Sequence, residues 1–386
     1  MRVTGILSSA THLFLCITII YLLGFFAHAF FLGKTVYGDG IYYYSWLHTI
    51  SIDRDINFTN EYQQLNGDQP KTIFGTYGNK YTIGPMLLWL PNYLLIHRIL
   101  RGDGYEFPYQ LTVGVTGVLY ALTGLLLLYR LLLFQFTPRV SGLVILGLAG
   151  ATNLLFYGSI DTVNSHALSF FAVSLFLLLL FQKKQNWIAV GTALGLLTLI
   201  RPQDCIVGFL IIPFLKKQTG VTSLLSTACG VVPFLSIQWY VWRMLYGTWI
   251  ISPYFLGNEG FTFLQPHLFS VLFSPSFGLI LYMPLVLMGF AGFYFDWKQI
   301  ADKKYWFLAI LLGQIYLIST WSTWWQGGTY SIRMFVGMLP FFGIPLAICF
   351  ARLQTLFKHL LPIPILFLTS LSFLNLIMII WMLIRN

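Results

Sequence analysis

The chain has 386 residues, of which 57% are hydrophobic, 18% aromatic and only 9% charged. Soluble domains carry roughly a quarter of their residues as charges, so this composition excludes a water-exposed globular surface and makes lipid the solvent. A net charge of +10 raises the question of nucleic acid, but the basic residues lie between apolar runs and read as membrane anchors.

Taken from the start, Arg2 is followed by a weakly polar stretch and then by an apolar run over 13–32. That run is long enough to span and lacks the pattern of a cleavable leader, so it predicts a retained first helix. Apolar runs separated by short polar breaks predict spans near 12–34, 112–134, 140–157, 163–182, 187–201, 204–216, 221–243, 271–295, 305–321, 333–351 and 361–384. The expected fold is therefore an all-α polytopic membrane protein with about eleven transmembrane helices. It forms one domain over 1–386, without an internal repeat or linker. The runs 187–201 and 204–216 are short and parted by Arg201-Pro202-Gln203-Asp204, which reads as one broken pair or as two tilted helices. Cys16, Cys205, Cys229 and Cys349 lie in apolar segments without paired spacing and read as small apolar core residues.

Orientation follows from the excess of Lys and Arg in cytoplasmic loops. With the N-terminus inside, the inner loops hold Arg2, Arg139, Lys183, Lys184, Lys216, Lys217, Lys298, Lys303, Lys304, Arg352 and Lys358, against Asp296 and Asp302 alone. The other ten acidic residues, from Asp39 to Glu259, fall outside or at outer helix ends. Three outer segments stand out: 35–111 and roughly 244–270 for length, and 322–332 for composition. Long ordered loops of this kind usually carry function.

In the first outer loop, Tyr43, Trp46, Leu47 and Ile50 recur at helical spacing, predicting an interfacial helix rich in Tyr and Trp. A second apolar segment over 81–100, with Pro85 and Pro91, predicts another interfacial helix or one further span. Asp39 precedes the first of these and suits two roles, an N-cap or a carboxylate base held at the membrane surface. Asp53, Asp55 and Glu61 read as solvated or paired with Arg54, and Asn57-Phe58-Thr59 matches a glycosylation sequon.

The stretch Tyr37-Gly38-Asp39-Gly40-Ile41-Tyr42-Tyr43-Tyr44, followed by Asp55 and Asn60-Glu61-Tyr62, resembles the first outer loop of bacterial GT-C glycosyltransferases. Lys80-Tyr81-Thr82-Ile83-Gly84-Pro85-Met86-Leu87-Leu88-Trp89 does so too. Ser165-His166-Ala167-Leu168-Ser169-Phe170, Leu272-Phe273-Ser274-Pro275-Ser276-Phe277-Gly278-Leu279 and Trp324-Trp325-Gln326-Gly327-Gly328-Thr329-Tyr330-Ser331-Ile332-Arg333 agree. The relatives are similar to protein O-mannosyltransferases and the lipid A aminoarabinose transferase, the family 39-like group. The resemblance implies a GT-C bundle whose long first outer loop carries interfacial helices over a cavity. It also implies transfer of a sugar from a polyprenyl-phosphate donor to an acceptor hydroxyl on the outer face, with Asp39 as base. The relatives that carry Asp-Glu at this point differ from this chain, where Gly40 follows Asp39.

Such a reaction needs a carboxylate to take the acceptor proton and fixed positive charge for the phosphate leaving group. A glycosidase would instead need two carboxylates across one bond. Candidates for the phosphate cradle are Lys80, Arg201, Arg243 and Arg333. The resemblance places a phosphate-contacting Lys at Lys80, whose other reading is a snorkelling anchor. Arg201 also suits an internal ion pair with Asp204, and Arg243 a simple helix flank. Arg333 opens a helix, where the dipole disfavours a cation, and so calls for an anionic partner.

Candidates for the substrate cavity are Tyr42, Tyr43, Glu61, Asp161, His166, Trp324, Trp325 and Tyr330. For His166 the alternative is a satisfied core residue, and for Trp321, Trp324 and Trp325 an interfacial belt. No His, Asp or Glu spacing resembles a ligand set, so no metal or other obligatory cofactor is expected. The expected partners are a polyprenyl-phosphate sugar, a glycan, lipid or protein acceptor, and membrane lipids. The expected location is a bacterial inner or plasma membrane, with the active site outside. A lipid or polysaccharide transporter is the competing class; it would call for inverted repeats and midplane charges, neither of which is visible. A purely structural membrane subunit would leave the acidic, aromatic first loop without a role.

Overall fold

The computed structural model describes residues 2–216, 218–327, 330–356 and 363–385. The expected anchors Lys217 and Lys358, and Gly328 and Thr329 of the aromatic segment, lie outside the described residues. Among those described, the regular structure is helical, with only isolated β-bridges. In order it runs α1 (Arg2–Leu32), α2 (Asp39–His48), α3 (Thr59–Leu65), α4 (Gly84–Leu100), α5 (Phe107–Leu132), α6 (Pro138–Gly150), α7 (Leu154–Ser159) and α8 (His166–Leu180). Then come α9 (Trp187–Ile200), a 3-10 helix Pro202–Phe214, α10 (Gly220–Tyr246), α11 (Leu268–Phe273), α12 (Leu279–Tyr282), α13 (Leu285–Gly292) and α14 (Lys304–Ser319). A 3-10 helix Arg333–Phe342 leads into α15 (Gly343–Leu356), and α16 (Ile363–Arg385) follows.

Among the described residues, five helical segments are long and apolar enough to cross a bilayer: Ala10–Leu32, Phe107–Leu132, Gly220–Tyr246, Arg333–Leu356 and Ile363–Arg385. Their burial sorts them. The most apolar window of Arg333–Leu356 is 83% buried, against 17% in α10 and in α16. The first is thus a central helix, while α1, α10 and α16 turn apolar side chains such as Leu23, Leu225 and Leu366 outward, as lipid requires. Cys16, Cys205 and Cys229 share that outward exposure, and only Cys349 is a core residue. The expectation of four core cysteines thus holds for one, because an outward face in a bilayer is as apolar as a core.

Helix length alone accounts for five of the expected spans. Four further expected spans contain shorter apolar helices: α6, α8, α9 and Pro202–Phe214. The run 271–295 is not one span but is divided among α11, α12 and α13. Pro275 and Pro284 fall at its breaks, where the missing N–H and the ring interrupt the helical ladder. The run 140–157 likewise divides into α6 and α7.

The long segment 35–106, expected to be the first outer loop, is ordered and holds α2, α3 and α4. Tyr43, Trp46 and Leu47 are buried as their spacing predicts, but Tyr44, Ser45 and His48 are buried with them, so α2 is enclosed over its second half and not one-faced. Trp46 Nε1 donates to the Tyr81 carbonyl at 2.9 Å, and the Tyr44 and Tyr93 hydroxyls both donate to the Gly104 carbonyl. Pro85 in the first turn of α4 starts that helix without wasting a donor. The polar stretch also holds α3, a short helix that apolar periodicity does not reveal.

Candidate active site

Asp39 begins α2 but does not cap it. The N-cap position is Gly38, at φ 54° and ψ −132°, with no side-chain cap hydrogen bond. Only a residue without Cβ adopts that backbone easily. The carboxylate of Asp39 is therefore free to turn elsewhere. Its Oδ2 lies 2.9 Å from Arg333 Nη2, and its Oδ1 accepts a hydrogen bond from the Tyr81 hydroxyl at 2.8 Å. Both Asp39 and Arg333 keep an accessible edge, with side chains 24% and 20% exposed. The anionic partner that Arg333 calls for is thus Asp39, a residue almost three hundred positions away.

The connection between α7 and α8 lies against the same turn of α2. A Cβ on Gly40 would stand 2.4 Å from the Val163 carbonyl oxygen, so this position admits no side chain. That contact accounts for the glycine at this position. Asn164 shapes the connection: its Nδ2 donates to the Asp161 carbonyl at 3.1 Å and its Oδ1 accepts from the His166 N–H at 2.9 Å. Burial pushes the Asp161 carboxyl up to about 7; the charge of Arg333 opposes this rise and that of Asp39 adds to it.

Two further basic groups stand nearby. Arg201 Nη1 donates to Ser165 Oγ at 3.0 Å and to His166 Nδ1 at 2.7 Å, and the Tyr43 hydroxyl donates to the same Ser165 Oγ at 2.9 Å. The expected Arg201 to Asp204 ion pair is not made, since Asp204 accepts from the Ser169 hydroxyl instead. Lys80 pairs with Glu259, and its ammonium lies 5.3 Å from the Tyr254 ring centroid and 5.6 Å from that of Tyr81. Glu259 also accepts from the Thr323 hydroxyl at 3.2 Å, joining the first loop to segments 244–270 and 322–332. Tyr42 stacks on Tyr81, with centroids 5.1 Å apart and rings within 3° of parallel.

The structure thus gathers Asp39, Arg333, Tyr81, Asp161, Tyr43, Arg201, His166 and Lys80 around one end of the bundle. Arg243 does not join them. It is exposed, and its guanidinium donates to the Gly247 carbonyl at the end of its own helix. Tyr330 is fully buried, with its hydroxyl on Asn375 Oδ1 at 2.5 Å and its ring against Phe156 and Tyr282, so it is a core residue. Glu61 is neither solvated nor paired with Arg54; it is fully buried and bonded to His48. Trp324 stacks against His267, and Trp325 is 42% exposed. Tyr81, Ser165 and Glu259 were not singled out from the sequence, because their partners lie far away along the chain.

One group of three could hold a metal among the described residues: His48, Asp53 and Glu61, whose ligand atoms lie within 4.8 Å of one another. A cavity of about 640 Å³ lies at the opposite ends of α5 and α15, lined by Gln135, Trp297 and Arg352, and contains none of the groups around Asp39.

Asp161 provides a test of this electrostatic arrangement. A carboxyl whose value is raised by folding destabilises the folded state as pH climbs from its ordinary 3.8 through about 7. Wild type should therefore lose melting temperature across this window relative to Asp161→Asn. Parallel melting curves against pH for the two proteins would show that Asp161 is not held in this way.

No protein-family model matches the chain, and no curated protein matches its sequence. Its fold does match solved structures. The oligosaccharyltransferase of Archaeoglobus fulgidus, in complex with zinc and sulfate, aligns with a TM-score of 0.57 at 12% identity, over 95% of this chain and 52% of that one. The apo form aligns at 0.56 and 12% identity over 96% and 55%. The same organism's oligosaccharyltransferase AglB, with an inhibitory peptide and a dolichol-phosphate, aligns at 0.52 and 12% identity over 97% and 54%. The chain spans about half the length of these neighbours, and at this identity the likeness is one of fold.

Proposed function

We propose that the chain is a GT-C glycosyltransferase that moves a sugar from a polyprenyl-phosphate donor to an acceptor hydroxyl on the outer face of the membrane. The observation that carries the reading is the Asp39 carboxylate, oriented by Tyr81 and Arg333 at the start of the first outer loop. Positive charge stands directly beside this oriented carboxylate, which suits transfer from a phosphate leaving group. The dolichol-phosphate bound to AglB supports a lipid phosphate as the leaving group.

In this reading the acceptor oxygen attacks the anomeric carbon and its proton passes to Asp39. The bond from that carbon to the phosphate oxygen breaks, and the electron pair leaves with the lipid phosphate. Arg333, Arg201 and Lys80 supply the positive charge that the departing phosphate needs. Arg333 then has two tasks: it holds Asp39 before the donor arrives and faces the phosphate afterwards.

The test is reconstitution in sealed vesicles with a labelled polyprenyl-phosphate sugar and an envelope extract as acceptor source. Free polyprenyl phosphate should appear one for one with a new glycoside. In cells, a cysteine at exposed Asn66 should react with an impermeant thiol reagent, while one at Gln185 should not. Movement of intact lipid-linked sugar without cleavage would identify a transporter instead.

A further inference from the structure

The group His48, Asp53 and Glu61 lies at the far end of α2 from Asp39, nine residues and therefore roughly 13 Å along the helix axis. Glu61 is fully buried, His48 is 2% exposed, and the Asp53 side chain is 25% exposed. His48 Nδ1 stands 3.0 Å from Glu61 Oε1 and 3.3 Å from Asp53 Oδ2. Its Nε2 lies 2.8 Å from the Asp103 carbonyl oxygen, which can only accept, so Nε2 carries a proton. A neutral His48 would then aim a lone pair at two carboxylates. The Tyr105 hydroxyl lies within hydrogen-bond distance of Nδ1, at 3.2 Å, with its ring nearly parallel over the imidazole at 4.0 Å and 22°; a metal on Nδ1 would take the place of that contact.

Two things are left unbalanced. Glu61 Oε2 is buried without a hydrogen-bond partner. Among the described residues, moreover, His48 is the only ion-pairing partner of either carboxylate, so two negative charges face at most one positive charge. A divalent cation resolves both. Ligand atoms about 2.1 Å from a tetrahedral zinc lie roughly 3.4 Å apart, close to the two distances found here. A metal-bound imidazole commonly donates its other N–H to a carbonyl, as His48 does to Asp103. The exposed edge of Asp53 leaves a side open for a water ligand.

We propose that His48, Asp53 and Glu61 bind one divalent transition metal of the Zn²⁺ or Mn²⁺ class, through Nδ1 and two carboxylate oxygens. The site clamps the end of α2 and its π-helical turn Thr49–Asp53 to α3 and to the turn around Asp103. Asn60 supports it by donating to Asp53 Oδ2 at 2.8 Å. The role is to hold the first outer loop in shape, apart from the chemistry at Asp39.

The test uses the full chain in detergent, stripped with chelator and then given Zn²⁺ or Mn²⁺ alone. Wild type should retain about one equivalent after dialysis and, at a hundredfold excess over Kd, gain about 5 °C in melting temperature. Asp53→Asn, at a partly exposed position, should weaken binding at least about tenfold, and Glu61→Gln should abolish the thermal gain. Asp39→Asn and Asp161→Asn should keep both uptake and thermal gain. Absence of uptake by wild type would show that protons alone, on His48 and shared between the two carboxyl groups, balance the cluster, and would overturn the proposal. Uptake that survives Glu61→Gln or is lost in Asp39→Asn would place the metal elsewhere and overturn it equally.

Discussion

Asp39→Asn is expected to lower the transfer rate by about a hundred- to ten-thousandfold, the usual loss when a general base is removed. The substitution is close to isosteric. Asn still offers an oxygen to the Tyr81 hydroxyl, which now donates 2.8 Å to Asp39 Oδ1, and α2 keeps its start because Gly38, not Asp39, occupies the cap. What changes is the charge facing Arg333 and the ability to take a proton. Since both partners of that ion pair are partly exposed, the stability cost should be small, about 1 kcal/mol or less. Donor binding should be nearly unchanged while turnover collapses. A purified Asn variant with full turnover would show that Asp39 only positions Arg333. The base would then be sought at Asp161, the other carboxylate beside this turn. Glu61 would not serve, because it is enclosed with His48 at the far end of α2.

What the sequence made legible follows the range of the signals it carries. The lipid-exposed character of the chain is compositional, and the helical spacing of Tyr43, Trp46 and Leu47 in α2 is periodic, so both are visible locally, whereas the burial of Tyr44, Ser45 and His48 between them is not. The demand of Arg333 for an anion was also legible, from its place at a helix start, but the identity of the anion was not. Asp39 and Arg333 meet only because the first loop folds back over the central helix, and no local pattern records that. Lys80 with Glu259 and Arg201 with Ser165 are of the same kind. The spacing of His48, Asp53 and Glu61 concealed a cluster for a different reason. A π-helical turn lies between the first two residues, and α3 carries the third back toward them. The apolar run 271–295 misled in the other direction, since hydropathy reports burial or lipid contact and is silent on where prolines break a helix.

Arg333→Ala should raise the donor concentration needed for half-maximal rate by at least about tenfold, since a charge-assisted phosphate contact contributes roughly 1.5–3 kcal/mol. It should also lower the maximal rate, because Asp39 loses the group that orients its Oδ2. Arg333→Lys should recover only part of either loss: a lysine keeps the charge but lacks the planar fork that can hold a carboxylate and turn to a phosphate. Lys80→Ala should affect donor use alone, at a similar tenfold level, because Lys80 bonds to Glu259 and not to Asp39. The double variant Asp39→Asn with Arg333→Ala separates the two tasks. If the pair acts as a unit, the double variant should be barely slower than Asp39→Asn, since the base is already gone and nothing is left to orient. Its donor requirement should nevertheless match that of Arg333→Ala, because the phosphate contact is lost in both. Rate losses that simply multiply would mean that Arg333 does not act through Asp39. An unchanged donor requirement in Arg333→Ala would remove this residue from the phosphate site and leave the leaving group to Arg201 and Lys80.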